Sequence, residues 1–372
     1  MTFDEYLGNT RVVAALRQML TGERLPQAML FAGPRGVGKF TLAALLARTA
    51  NCERGVGEPC GKCSTCRSLA ALDDLGELAR IGRQERGSAS PEDVPLILRP
   101  HSSVTVLVPD AEYIRVSQMR YVVREAYAAP TAGRRNFFLF DQAERLRHDF
   151  ADTLLKVLEE PPSKTTLILV TDSPFSLRAT LRSRCVSFWF APLTPEEVAA
   201  GLKEHRPDWK KAERELAAAA AAGSLGAALG LDLDFYRGLR SHALALVRAA
   251  LADDFSPQPL FDATAALAGK AARSDDEEPP LEGRKGFEIS LDILYGLLRD
   301  IVYLKVGVPD VGLRNPDLGE DLRSLSERTS WARLARVVAG LDEIWSRQRR
   351  NVNRQLALDA WALAPVEMSA TL

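Results

Sequence analysis

The sequence predicts a parallel α/β sheet followed by an all-helical half, and three observations carry that prediction. Five short, unalternating apolar runs punctuate the first 190 residues. A glycine-rich loop joins the first of these runs to a helical stretch. Past Leu193 the strand signal stops while helical periodicity continues.

The runs are Ala28 to Ala32, Val104 to Val108, Phe137 to Phe140, Leu167 to Val170 and Val186 to Phe190. They are rich in β-branched or aromatic residues and lack polar alternation, so each reads as a strand buried on both faces, as in a parallel sheet covered by helices. Thr194-Pro195-Glu196-Glu197 then opens a helix: a Thr N-cap, Pro at the first position and acids in the first turn. An Ala-rich helix over Leu216 to Ala222 follows, broken at Gly223-Ser224. Farther on, Trp331, Leu334, Val337, Val338, Leu341, Ile344 and Trp345 fall on one helical stripe, matched by Leu294, Leu297, Leu298, Ile301 and Leu304. Such stripes are the core faces of packed helices and reveal no function by themselves.

A chain of 372 residues is long for one core, so several domains are expected. The pattern divides it into an α/β domain over 1–191, a small helical domain over 192–232 and a C-terminal helical domain over 233–372. Residues 273–286 (RSDDEEPPLEGRKG) read as a charged mobile loop, and 82–91 lie in a polar insertion before the strand at Val104.

Hydrophobic residues make up 46% and charged residues 26%, with a formal net charge of -1, the composition of a globular protein. No run approaches the roughly 18 to 20 apolar residues of a membrane span, and the first residues lack the basic and apolar regions of a secretory leader, so a cytoplasmic protein without membrane partners is expected. Near-neutral charge argues against strong DNA binding by this chain alone; any DNA contact would be shared with partners.

Gly33-Pro34-Arg35-Gly36-Val37-Gly38-Lys39 lies between the first strand and the helical stretch Thr41 to Ala50, the context of a phosphate loop. Glycines let backbone N–H groups converge on phosphate oxygens, the helix N-terminus adds its dipole, and Lys39 reaches toward the outer phosphates. The next residue should be Ser or Thr, whose hydroxyl ligates Mg²⁺, but it is Phe40. Thr41 is rotated by about 100° on the helix and does not replace it. At the end of the Phe137 to Phe140 strand, Asp141 fits a Mg²⁺-associated acid, while Gln142 stands where a hydrolysing site needs Glu. An amide orients water but is a poor base.

Cys52, Cys60, Cys63 and Cys66 form a C-x7-C-x2-C-x2-C pattern, leaving only Cys185 elsewhere. Four thiolates at such spacing suit a tetrahedral Zn²⁺ or an iron–sulfur cluster, and the closed ligation implies a structural role. Cys185 has no His/Asp arrangement around it in sequence and is assigned no catalysis.

These features resemble the clamp-loader family of bacterial DNA polymerase III, within the AAA+ proteins, and the delta-prime type of subunit in particular. The resemblance is carried by Leu25-Pro26-Gln27-Ala28-Met29-Leu30-Phe31, by Leu154-Leu155-Lys156-Val157-Leu158-Glu159-Glu160-Pro161-Pro162 and by Ser183-Arg184-Cys185. It implies that Arg184 is an arginine finger, acting in trans on ATP held by a neighbouring subunit. It further implies that Thr171 is a sensor residue and that the Cys module binds zinc. Gly223-Ser224-Leu225-Gly226-Ala227-Ala228 resembles the lid segment where active members carry a phosphate-sensing Arg, and has none. Asn351 to Leu358 resembles the end of a collar domain for ring assembly.

The implied site is thus a degenerate nucleotide site of Gly33, Gly36, Gly38, Lys39, Thr41, Asp141 and Thr171, with ATP and Mg²⁺ in doubt. The implied role is a non-hydrolysing stator, without ATPase activity of its own, in the DNA polymerase III holoenzyme. Its partners would be the gamma/tau and delta subunits and, through the complex, the sliding clamp and primer-template DNA. The alternatives are a gamma/tau-like motor that hydrolyses ATP despite Phe40, and an AAA+ protein outside replication.

Overall fold

A computed structural model of the chain describes residues 1–372 apart from 56, 147, 161, 252–256, 270–283, 308–312, 348–352 and 368–372, with backbone alone at 148–153, 284–285 and 365–367. It contains two compact units, Met1–His205 with Gly223–Ala227, and Arg206–Ala222 with Ala228–Leu372.

The first unit is built on a six-stranded α/β sheet. In chain order its elements are α1 (Thr10–Thr21), β1 (Ala28–Ala32), α2 (Lys39–Ala50), α3 (Ser64–Ser68), α4 (Leu75–Arg86), β2 (Leu98–His101), β3 (Val104–Leu107), α5 (Val116–Ala126), β4 (Asn136–Phe140), α6 (His148–Glu159), β5 (Thr165–Thr171), α7 (Ala179–Arg182), β6 (Val186–Trp189) and α8 (Pro195–His205). The strands lie in the order β2-β3-β4-β5-β1-β6, all parallel except the β2–β3 pair.

The unalternating runs bury both faces as expected. Met29 and Phe31 of β1 enter the core under α1 and α2, whereas Ala28, Leu30 and Ala32 enter the core under α5 and α6. Phe137 and Leu139 divide from Phe138 and Phe140 in the same way. Each core therefore takes every second residue of a strand, the period of the pleat. The core placement also brings β5 between β1 and β4, which sets Thr171 against Ala32 beside the glycine loop.

One expectation needs correction, and two further elements were not foreseen. The run at Val186 is an edge strand: Phe188 is buried, but Val186 and Trp189 are exposed, because no strand lies beyond β6. The antiparallel β2 was not expected; four residues containing Arg99 and Pro100 carry too little pattern, and Pro is tolerated there because β2 is an edge. Within the polar insertion, Gly82 to Arg86 form the end of α4. Asp74 caps that helix by accepting from Glu77 N–H at 2.9 Å, and Gly82 sits close against Leu96 and Leu98, where a side chain would crowd.

At Thr194 the helix start is as predicted, with a reciprocal capping box: Glu197 N–H donates to Thr194 Oγ1 at 3.2 Å and Thr194 N–H to Glu197 Oε2 at 2.8 Å.

The second unit is helical, with α9 (Lys211–Ala220), the end of α10 (Leu225–Leu229), α11 (Leu233–Leu251), α12 (Pro257–Leu267), α13 (Arg284–Val306), α14 (Gly319–Arg328), α15 (Trp331–Arg347) and α16 (Arg354–Glu367). The Ala-rich helix thus begins and ends a few residues before the expected bounds. Helix α11 packs on α12, α13, α15 and α16, and Ala243, Val247 and Ala250 meet Leu294, Leu297, Leu334 and Leu341 in one core. The two stripes enter this core through Leu294, Leu297, Leu298, Ile301, Leu334, Val337 and Leu341, whereas Trp331 and Trp345 are exposed. Buried Asp300 fixes the chain after α13, accepting from Arg314 N–H at 2.9 Å, Asn315 N–H at 2.7 Å and Asn315 Nδ2 at 2.9 Å.

Most of the acidic loop expected over 273–286 lies outside the described residues; its last three residues open α13. Of the collar-like segment, 351 and 352 also lie outside them. Among the described residues no helix is long and apolar enough to cross a membrane.

Candidate functional site

The glycine loop runs from the end of β1 into α2, so the helix N-terminus faces the loop. Lys39 is buried at 6% exposure, and its Nζ donates to Gly33 O at 2.7 Å and Pro34 O at 2.6 Å. Desolvation lowers its pKa from the ordinary Lys value, opposed by the negative charges of Asp172, Glu144 and Asp141.

The rest of the loop is braced by its own chain. Tyr6 Oη donates to Val37 O at 3.2 Å, and burial pushes its phenol up. Gly226 N–H donates to Gly36 O at 3.4 Å, and a methyl group at Gly36 would overlap Ser224 Oγ. At Gly38, where φ is 88°, a methyl would run into the Tyr6 hydroxyl. Two motif glycines are therefore required by contacts within this unit as well as by left-handed backbone.

The two sequence departures have distinct structural consequences. Phe40 packs half-buried against the core formed by Leu42, Leu45 and Phe31 and supplies no oxygen beside Lys39, while Thr41 is exposed. Gln142 has left-handed backbone, φ 53°, and its Nε2 donates to Asp141 Oδ2 at 3.1 Å. Burial raises the pKa of Asp141, opposed chiefly by its hydrogen bonds with Gln142.

A carboxylate that the sequence reading passed over stands nearby. Thr171 Oγ1 donates to Glu144 Oε2 at 2.7 Å and accepts from Ser173 N–H at 3.1 Å, while Thr171 O accepts from Gly33 N–H at 3.3 Å. Burial raises the pKa of Glu144. Glu144 lies on a short 3₁₀ turn after β4, and only the sheet order brings it to Thr171 of β5. Gly33, Gly36, Gly38, Lys39, Asp141 and Thr171 are brought to one end of the sheet; Thr41 is exposed on the first turn of α2. The loop and the N-terminus of α2 have the layout of a phosphate site, with the Lys39 ammonium held on the Gly33 and Pro34 carbonyls. This layout does not fit Mg²⁺ held in the ordinary way, since the hydroxyl after the lysine is missing.

Arg184 lies in the turn between α7 and β6, one-third exposed. Its Nη1 donates to Thr180 O at 2.9 Å, and its Nη2 pairs with Glu159 Oε1 at 2.6 Å. Phe175 and Trp189 are exposed in the flanking segments, with ring centroids 6.5 Å apart. Burial pushes the Cys185 thiol up to about 12, which suits an inert packed side chain.

Cys52, Cys60, Cys63 and Cys66 converge with all four Sγ atoms within 4.8 Å of one another, and no disulfide links them. Four Zn–S bonds of about 2.3 Å require S–S edges of about 3.8 Å, so the cluster fits that ion with little closure. Backbone N–H groups of Cys60, Cys63 and Cys66 donate to Sγ of Cys52, Cys60 and Cys63 at 3.4, 3.3 and 3.4 Å. Such donors favour thiolate, and those of Lys62 and Cys63 lower the Cys60 thiol to about 6. A metal held here would tie the loop after α2 to α3 and leave no open coordination position.

Three comparisons relate the chain to known proteins. The family described as "DNA polymerase III, delta subunit" matches residues 8–194, and "DNA polymerase III, delta subunit, C terminal" matches residues 284–365. The chain is 31% identical over 351 residues to the DNA polymerase III subunit tau of Escherichia coli (strain K12), covering 92% of this chain and 48% of that protein. It is 32% identical over 202 residues to the DNA polymerase III subunit gamma/tau of Mycobacterium tuberculosis (strain ATCC 25618 / H37Rv), covering 54% of this chain and 30% of that protein. The chain thus spans about half the length, or less, of these curated relatives. Among solved structures, a DNA polymerase III gamma subunit-related protein from Thermotoga maritima aligns over 95% of this chain and 98% of its own at 16% identity and a TM-score of 0.38. With the first family match spanning half of its residues, the chain belongs to the DNA polymerase III delta-subunit family of clamp-loader subunits.

Proposed function

We propose that this chain is a stator of the delta-prime type: a subunit that does not hydrolyse ATP itself, but supplies Arg184 in trans to a neighbouring gamma/tau-type ATPase and supports loading of the sliding clamp onto primed DNA. The observation that carries this reading is the contrast between the two ends of the site. Arg184 is exposed on the surface with a planar, permanently charged guanidinium, whereas the chain's own phosphate loop has Phe40 in the core where a metal-binding hydroxyl belongs. The lid segment Gly223–Ala227 lies on the loop without an arginine. In the three-domain division this entails, 1–191 is the nucleotide-binding-type domain with a zinc module over 52–66, 192–232 the lid and 233–372 the collar. Delta and gamma/tau subunits would be its direct partners in the cytoplasm.

Glu144 supports a second reading. Its carboxylate lies within electrostatic reach of Lys39, so a slow gamma/tau-like motor would have a base in place of Gln142. Steady-state ATP turnover by the purified chain separates the two. The stator reading expects no turnover above that of the Lys39→Ala variant; turnover abolished by both Lys39→Ala and Glu144→Gln would establish the motor.

A further inference from the structure

The segment Leu154 to Pro162 resembles its family counterparts closely, yet no chemistry has so far been attached to it. Its Glu159 is the last residue of α6. A carboxylate is misplaced there for the helix's own sake, because the C-terminal end of a helix carries partial negative charge and favours cations. Its partner explains the placement. Glu159 Oε1 lies 2.6 Å from Nη2 of Arg184, 25 residues away, on the turn that leads into β6.

We propose that Glu159 is the positioning residue of the arginine finger, an inference that rests on Arg184 acting in trans. An arginine on an exposed turn samples many rotamers, and fixing it in one geometry costs conformational entropy. Glu159 and the Thr180 carbonyl grip Nη2 and Nη1, so that cost is met when this chain folds and not when the neighbour's nucleotide arrives. The grip takes two of the five N–H donors of a guanidinium, leaving others for phosphate oxygens. It is also releasable. Glu159 is about half exposed and Arg184 one-third exposed, and ion pairs in such settings are weak. A phosphate, with more charge and more acceptor oxygens, displaces or joins it readily.

The experiment compares reconstituted clamp-loader complexes in which this full-length chain is unmodified, Glu159→Ala, Glu159→Gln, Arg184→Ala or Glu159→Ala with Arg184→Ala, reading kcat and KM for ATP separately. Glu159→Ala is expected to lower kcat about threefold to tenfold with KM little changed. Glu159→Gln, which keeps an acceptor oxygen, should retain most of the activity. In the Arg184→Ala background, Glu159→Ala should cause no further loss, because it acts only through the finger. Loss of kcat in Arg184→Ala with none in Glu159→Ala would overturn the proposal while leaving the finger intact. A rise in kcat, or an equal loss in both backgrounds, would overturn it too. Full activity of Arg184→Ala would remove the finger reading and this one with it.

Discussion

The Thr171 hydroxyl donates a 2.7 Å hydrogen bond to the Glu144 carboxylate, joining the end of β5 to the turn that follows β4 beside the phosphate loop. The loop therefore retains an acid of its own even though Gln142 replaces the expected one. What it lacks, on the same side, is an oxygen at position 40.

Burial raises the folded-state pKa of Glu144 above its ordinary value of 4.5, and the sign of the resulting pH dependence follows. The ionised carboxylate is disfavoured in the fold, so it subtracts stability at pH values above its folded pKa, and this penalty fades as the pH falls toward the ordinary value. Glu144→Gln keeps an acceptor for Thr171 without the charge. Its thermal midpoint should exceed that of the unmodified chain at pH 7.5, with the difference shrinking as the pH approaches 4.5. A midpoint gain that is the same at both pH values would mean that ionisation is not its cause.

Phe40→Ser should separate packing from metal binding. Losing a half-buried aromatic ring from the core beside Leu42 costs about 1 to 3 kcal/mol. The new hydroxyl beside Lys39 should make ATP affinity Mg²⁺-dependent. Calorimetry is expected to show Mg²⁺ tightening ATP binding severalfold in the variant and not in the unmodified chain. Equal Mg²⁺ dependence in both would show that position 40 is not the missing ligand.

The four thiolates should hold one Zn²⁺ per chain by elemental analysis, and chelation should lower the melting temperature, since a closed structural site contributes its binding energy to folding. Cys60→Ser should lower zinc content and stability together. Iron with visible absorption near 400 nm would instead identify a cluster.

Asp300 is fully buried and accepts three hydrogen bonds from Arg314 and Asn315, so Asp300→Ala should destabilise the helical unit by about 3 kcal/mol, leaving two backbone N–H groups without that acceptor. Denaturant unfolding followed at Trp331 and Trp345 measures this directly.

The legible part of the fold is the part governed by local pattern. β1, β3, β4 and β5 were readable because both faces of each are buried, which removes polar alternation and leaves runs such as Met29-Leu30-Phe31. β2 escaped because Leu98-Arg99-Pro100-His101 is short and lies at an edge, where pairing and not composition makes the strand. The candidate site divides along the same line. Lys39, Asp141 and the cysteines stand in short motifs, whereas Glu144 gains its role from Thr171 and Glu159 from Arg184, each more than twenty residues away. Tyr6, and the contact of Ser224 with Gly36, were invisible for the same reason: both brace the loop across long sequence separation.

The central claim is that this chain acts on a neighbour's ATP through Arg184 while its own loop stays inactive. Its most direct measurement is the ATPase rate of a complex reconstituted from the partner ATPase subunits, the clamp, primed DNA and this chain carrying Arg184→Ala. The expected result is a loss of about tenfold or more in kcat, with assembly of the complex unchanged by size-exclusion chromatography. An intact complex that hydrolyses ATP at the unmodified rate would contradict the claim.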